Sequence, residues 1–284
     1  MKKDGHLLLQ IYQRLNTLSI DVCLGAIAGG IMATHLLATD PGWAYWFVLP
    51  MAVWLIYTAD HLIDGYRMGD NKTHVRHLYH RKYRKQLVLL SFLVLIIAAV
   101  ISFRYLPYNI ILFGVVLGVL AIIYLTLVFV IPSGSVVFFQ KELLVALFYT
   151  AGIWGPVIIM NQALSTTEII IVLMFFLLAF EDLIMLSMIE IKADSKAGQG
   201  SLPMFLGYRH SRKLFYILVG TVLLLSFAII LSNPAGSLLK ATIIMILMQT
   251  GLFFILRFSS FFRKRELYRY LSEAVFFLPA LMFL

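Results

Sequence analysis

The sequence predicts an all-α, polytopic membrane protein with nine transmembrane helices. Three observations carry this. Hydrophobic residues make up 61% of the chain and charged ones only 13%, and mean hydropathy is +0.92, more apolar surface than a soluble domain can bury. The apolar residues come in runs of about 20, the length that crosses a bilayer as a helix. The basic residues are sorted between alternate connections. All but two of the 23 Lys and Arg, namely Arg104 and Lys240, fall in the segments that lie on the same side as the N-terminus. That asymmetry predicts an N-terminus in the cytoplasm and a C-terminus outside.

The expected segments are 17–38, 43–63, 87–103, 108–131, 142–160, 167–189, 213–232, 238–257 and 267–284. Pro107 and Pro132 bracket the fourth, as helix ends prefer. Pro50 and Pro156 lie inside segments two and five, where they should kink the helix. Residues 1–15 are polar and partly basic, and the first run is long enough to stay in the membrane, so no cleaved leader is expected. The whole chain, 1–284, reads as one domain with two pseudo-halves at about 17–131 and 142–257, followed by a ninth helix. The single cysteine, Cys23, excludes an intrachain disulfide. The net charge of +9 is mostly topological, with anionic lipid or phosphate as its natural partners rather than nucleic acid. A compact chain of this kind suits a bacterial inner membrane.

Two acidic stretches end apolar runs. One is Tyr57-Thr-Ala-Asp60-His-Leu-Ile-Asp64-Gly-Tyr-Arg67 and the other begins Glu190-Ile-Lys-Ala-Asp194. In each the carboxylates stand at i and i+4, on one helix face. The second pair lies 130 residues beyond the first at both positions (190 from 60, 194 from 64), so both belong at the cytoplasmic ends of helices running in the same direction. A charged helix end meeting water explains either stretch alone. The matched spacing points to two halves of one site. Four gathered acids repel unless a cation joins them, and carboxylate oxygens suit Mg²⁺, which shares itself with substrate phosphates. Asp60, Asp64, Glu190 and Asp194 are therefore the candidate catalytic and metal-binding residues. Arg67, Arg76, Lys141 and Lys196 are candidates for phosphate oxygens, against the alternative of headgroup anchors. Asp182, two helical turns before Glu190, is either a cavity-lining contact to an acceptor or cation, or a hydrogen-bonded acid between helices. The basic run from Arg67 to Lys85 holds His74, His77 and His80. It reads as an amphipathic helix, either a lid over phosphate or a headgroup anchor, rather than a zinc site, which needs converging ligands.

The pattern Glu190-x-x-x-Asp194-x-x-x-Gly198-x-x-Ser201-Leu202-Pro203-x-x-x-Gly207 resembles the second aspartate-rich motif of the UbiA-type intramembrane prenyltransferase superfamily. Asp60-x-x-x-Asp64 resembles its first, and Tyr124 with Lys141 around the fourth loop also fits. The resemblance implies nine helices bundled around a central cavity. It also implies Mg²⁺ and an isoprenyl diphosphate held by the two motifs, and transfer of the prenyl group to a lipophilic acceptor in the membrane. Three places depart from the family pattern. Ile56 and Tyr57 stand where an Asn and often an Asp precede the first motif, Glu190 replaces an Asp, and the run from His74 to Arg84 replaces a short Arg/Pro pattern. A terpene cyclase of the same superfamily is the alternative, sharing the ionisation site but capturing the cation with the substrate's own double bond. A non-catalytic lipid-binding or transport protein is a lesser one, disfavoured by four costly charges at membrane depth.

Overall fold

The computed structural model describes residues 12–67, 75–130, 141–161, 163–197, 200–234 and 236–284. Those residues form helices and turns, without strands. In chain order the helices are α1 (Ile20–Leu36), α2 (Trp43–Arg67), α3 (Val75–Lys82), α4 (Arg84–Tyr105), α5 (Tyr108–Val130) and α6 (Lys141–Met160). They continue with α7 (Thr166–Ala197), α8 (Leu202–Leu206), α9 (Tyr208–Leu231), α10 (Gly236–Arg257), α11 (Ser259–Phe262) and α12 (Leu267–Val275). Among the described residues, seven helices, α2, α4, α5, α6, α7, α9 and α10, are long and apolar enough to cross a membrane. The shorter α1 has 17 residues.

Helix ends follow local chemistry. Leu106 closes α4 in an extended conformation, φ −91° and ψ 147°, as the residue before a proline must. The Pro107 carbonyl then accepts the Ile111 amide at 3.1 Å and opens α5. Gly207 separates α8 from α9 at φ +80°, a backbone that a Cβ would strain.

Packing divides the helices into centre and rim. Half of the residues in the apolar stretch of α7 are buried, against 11% for α4. α7 packs against α6, α9 and α10, while α4 rests mainly on α2. Met174, Phe175, Leu178, Ile184, Met185 and Met188 of α7 are fully buried. The outer faces of α4 and α5 carry rows of exposed Leu, Val and Ile, the surface a lipid bilayer covers. Two polar contacts inside the bundle join neighbouring helices. Tyr45 Oη of α2 donates to the Ile153 carbonyl of α6 at 2.9 Å, and Gln249 Nε2 of α10 donates to Glu181 of α7 at 2.6 Å.

The last segment differs from the single helix expected over 267–284. α12 stops at Val275, and Leu278–Phe283 forms a 3₁₀ turn. Pro279, near the start of that turn, has no amide to continue an α-helix. The two pieces still cross the bundle. Arg269 meets Glu190 at the acidic end, while Lys240 Nζ, near the start of α10, donates to the Met282 carbonyl at 3.2 Å. Residue 12 lies at the acidic end, where Tyr12 Oη donates to the Tyr270 carbonyl at 3.0 Å.

Candidate active site

A cavity of about 200 Å³ opens at the end of the bundle where α2 and α7 carry their acidic pairs. Its wall is built by α1, α2, α6, α7 and α12 and includes Asp60, Asp64, Lys141, Asp182, Glu190 and Asp194. The i, i+4 spacing on α2 and on α7 turns each pair inward together. Asp64 and Asp194 are buried. Lys141, the first residue of α6, places Nζ 3.7 Å from Asp60 Oδ1 and 3.7 Å from Asp64 Oδ2. The lone lysine of the short fourth connection is thus the counter-ion of the first pair.

The second pair has a different partner. Glu190 Oε1 accepts hydrogen bonds from Tyr268 Oη at 2.8 Å, from Arg269 Nε at 3.1 Å and from Arg269 Nη2. The Gly/Ser/Leu/Pro turn that follows this pair is tied down by Glu142, next to Lys141. Glu142 Oε1 accepts from the Leu202 amide at 2.9 Å and from Ser187 Oγ at 2.9 Å. One carboxylate thereby joins the start of α6, the body of α7 and the start of α8. Leu183, Leu186, Tyr149 and Phe276 line the cavity as well, interleaved with the acids Asp182 and Glu273. The Tyr149 and Phe276 rings meet edge to face at 5.8 Å.

The remaining expected residues fall in three places. Asp182 lines the cavity and is buried. Tyr124 packs on Phe148, 5.8 Å between ring centres, close enough to Lys141 to interact with it electrostatically, and does not itself line the cavity. The side chains of Arg67, Arg76 and Lys196 lie outside the described residues, as does His74. The basic run does form a helix over Val75–Lys82, packed on α2. Its buried His80 meets His61 of the cavity wall at 5.1 Å.

Sequence reasoning missed Tyr268, Arg269, Glu142 and Glu273. α12 did carry a signal. Arg269 and Glu273 stand at i and i+4 inside an expected membrane segment, and intramembrane charges mark sites by default.

Among the described residues, no three His, Cys, Asp or Glu side chains surround a single point closely enough to cage an ion. Seven carboxylates and two cations, Lys141 and Arg269, line the cavity. That donor set fits Mg²⁺, which is held through one or two carboxylates while waters and phosphate oxygens complete its shell. It does not fit a closed zinc site.

No family model matches the chain, and no curated protein matches it in sequence. Solved structures do match in shape. An apo UbiA homologue from Aeropyrum pernix K1 superposes with a TM-score of 0.64 at 15% identity, covering 93% of this chain and 97% of that one. The chain has the UbiA fold. A UbiA homologue from Archaeoglobus fulgidus, bound to DMAPP and Mg²⁺, gives a TM-score of 0.64 at 14% identity over 94% of this chain and 98% of that one. A structure of digeranylgeranylglyceryl phosphate synthase gives 0.55 at 17% identity over 96% and 98%. In this UbiA fold the ends of α2 and α7 are brought to one cavity mouth, as the matched spacing of their acids implied.

Proposed function

We propose that the protein is a Mg²⁺-dependent intramembrane prenyltransferase, ionising an isoprenyl diphosphate and passing the prenyl group to a lipophilic acceptor. The observation that carries this reading is the convergence of Asp60, Asp64, Glu190 and Asp194 with Lys141 on one cavity that apolar and aromatic side chains also line. The fold shared with a homologue that binds DMAPP and Mg²⁺ supports it.

Asp60 and Asp64 from α2 and Asp194 with Glu190 from α7 would hold the metal. Bound there, Mg²⁺ supplies positive charge to the departing diphosphate oxygens. Lys141 holds the same oxygens as a fixed cation, already placed before the bond breaks. The C1–O bond of the substrate breaks with its electron pair leaving on the diphosphate. The allylic cation remaining is attacked by the acceptor's electron pair. Tyr149 and Phe276 present aromatic rings to the prenyl group, which steadies a cation, and Leu183 and Leu186 exclude the water that would quench it. Asp182, which lines the same cavity, would contact the acceptor. α3, resting on α2 beside His61, closes the mouth over the diphosphate. The acidic end faces the cytoplasm, where most Lys and Arg lie.

The test is incubation of the purified protein in detergent with Mg²⁺ and isoprenyl diphosphates of several lengths, with and without a membrane-lipid extract as acceptor source. Diphosphate release that requires the extract supports prenyl transfer. Release without it, accompanied by a hydrocarbon, reassigns the site to cyclisation. No release from any donor overturns the reading.

A further inference from the structure

Each acidic pair carries a cation that comes from a helix outside the pair. Lys141 of α6 stands 3.7 Å from both acids of the first, beyond hydrogen-bond reach. Arg269 of α12 is bonded outright to Glu190 of the second, through Nε at 3.1 Å and through Nη2, with Tyr268 adding a bond at 2.8 Å. Both side chains of this ion pair are nearly closed to solvent, at 11% and 13% exposure, and both line the cavity.

The pairing poses a problem for metal binding. A carboxylate oxygen that already accepts three hydrogen bonds is a poor ligand while the guanidinium stays. Removing the guanidinium to nowhere would leave two buried charges unpaired, which is strongly unfavourable. A diphosphate resolves it, because a guanidinium matches phosphate oxygens as well as it matches a carboxylate. We propose that Arg269 stands in for a divalent cation on Glu190 in the substrate-free protein and transfers to a diphosphate oxygen when metal and diphosphate bind together. Arg269 is thereby a diphosphate-binding residue, and Glu190 becomes a metal ligand only in the loaded state. This rests on the isoprenyl diphosphate reading of the cavity.

The exchange couples the two ligands. Divalent ion alone meets a Glu190 whose charge and Oε1 are already taken by Arg269, and diphosphate alone faces seven carboxylates. Each assists the other, so affinities measured together exceed those measured apart. The experiment uses the full chain in detergent. Mn²⁺ is titrated as a spectroscopic stand-in for Mg²⁺, with and without a non-ionisable prenyl thiolodiphosphate. For Arg269→Gln the two affinities are expected to move in opposite directions. Mn²⁺ alone should bind about tenfold tighter, and the thiolodiphosphate should bind ~10- to 100-fold more weakly, the range of one charge-assisted hydrogen bond. Glu190→Gln should weaken Mn²⁺ when the thiolodiphosphate is present, and leave the thiolodiphosphate alone equal or tighter. If Arg269→Gln does not fold, the Glu190→Gln result decides. Affinities that fall together or stay unchanged make Arg269 a merely structural brace and overturn the proposal. Wild-type protein that binds Mn²⁺ and no thiolodiphosphate overturns the functional reading itself.

Discussion

Asp64 and Asp194 are the buried member of each acidic pair, and each follows its partner by one helical turn. Changing either to Asn removes the charge and keeps the shape. Loss of one ligand to a metal that stabilises the leaving group is worth several kcal/mol, and each ~1.4 kcal/mol is tenfold in rate. Diphosphate release should therefore fall by at least ~100-fold in Asp64→Asn and Asp194→Asn, with the protein still folded in detergent. Near-normal release in both would remove these acids from the metal site. Glu142 plays another part. Its Oε1 accepts from Leu202 and Ser187, so Glu142→Ala strands a buried amide at a cost of about 1–3 kcal/mol. Glu142→Gln keeps the acceptor oxygen. Melting temperatures should therefore rank wild type and Gln together above Ala, and equal values for Gln and Ala would deny the staple. The four motif acids were legible in the sequence because i, i+4 is a local rule and both pairs obey it. Glu142 and Arg269 were not, because their partners lie 60 and 79 residues away and only the fold makes them neighbours.

Helices were legible wherever an apolar run ended at a proline, a glycine or a charge. Pro107 sets the boundary between α4 and α5 as expected, whereas the short α8 was not expected and α9 starts at Tyr208 rather than at 213. The break in the last segment was hidden because Phe276, Phe277 and Leu278 are as apolar as a helix interior, leaving Pro279 as its single mark. Neighbour choice was hidden too. α5 meets α6 where Gly155 lets the Phe113 ring lie on its backbone, and a Cβ there would come within 2.3 Å of that ring. The ring cannot yield that much without moving α5. Gly155→Ala should lower stability by about 1–3 kcal/mol through overpacking, seen as a drop in the detergent melting temperature. Phe113→Ala should relieve it, so the double variant should melt above the sum of the two single losses. Additive losses would place the two helices further apart than the structure has them.

At the scale of the molecule, the charge pattern and the fold make separate statements that meet at the C-terminus. From the Lys and Arg distribution we propose that the acidic end faces the cytoplasm. The structure puts residue 12 at that end and Met282 at the other, beside Lys240. On that proposal residue 12 and Met282 lie on opposite faces of the membrane, and the last crossing is made of a nine-residue helix and a 3₁₀ turn. Cys23 is the sole cysteine and is buried, so a membrane-impermeant maleimide meets little background, and Cys23→Ala removes it. On that background, cysteines are introduced by Leu284→Cys, Asn233→Cys and Lys264→Cys, all at exposed positions. In intact spheroplasts, Leu284→Cys and Asn233→Cys should label, and Lys264→Cys should label only after permeabilisation. If Leu284→Cys labels with Lys264→Cys instead, the final segment turns back within the membrane and the Met282 contact to Lys240 is not made there. If all three patterns invert, the fold stands and the orientation is reversed, with the acidic mouth open to the outside.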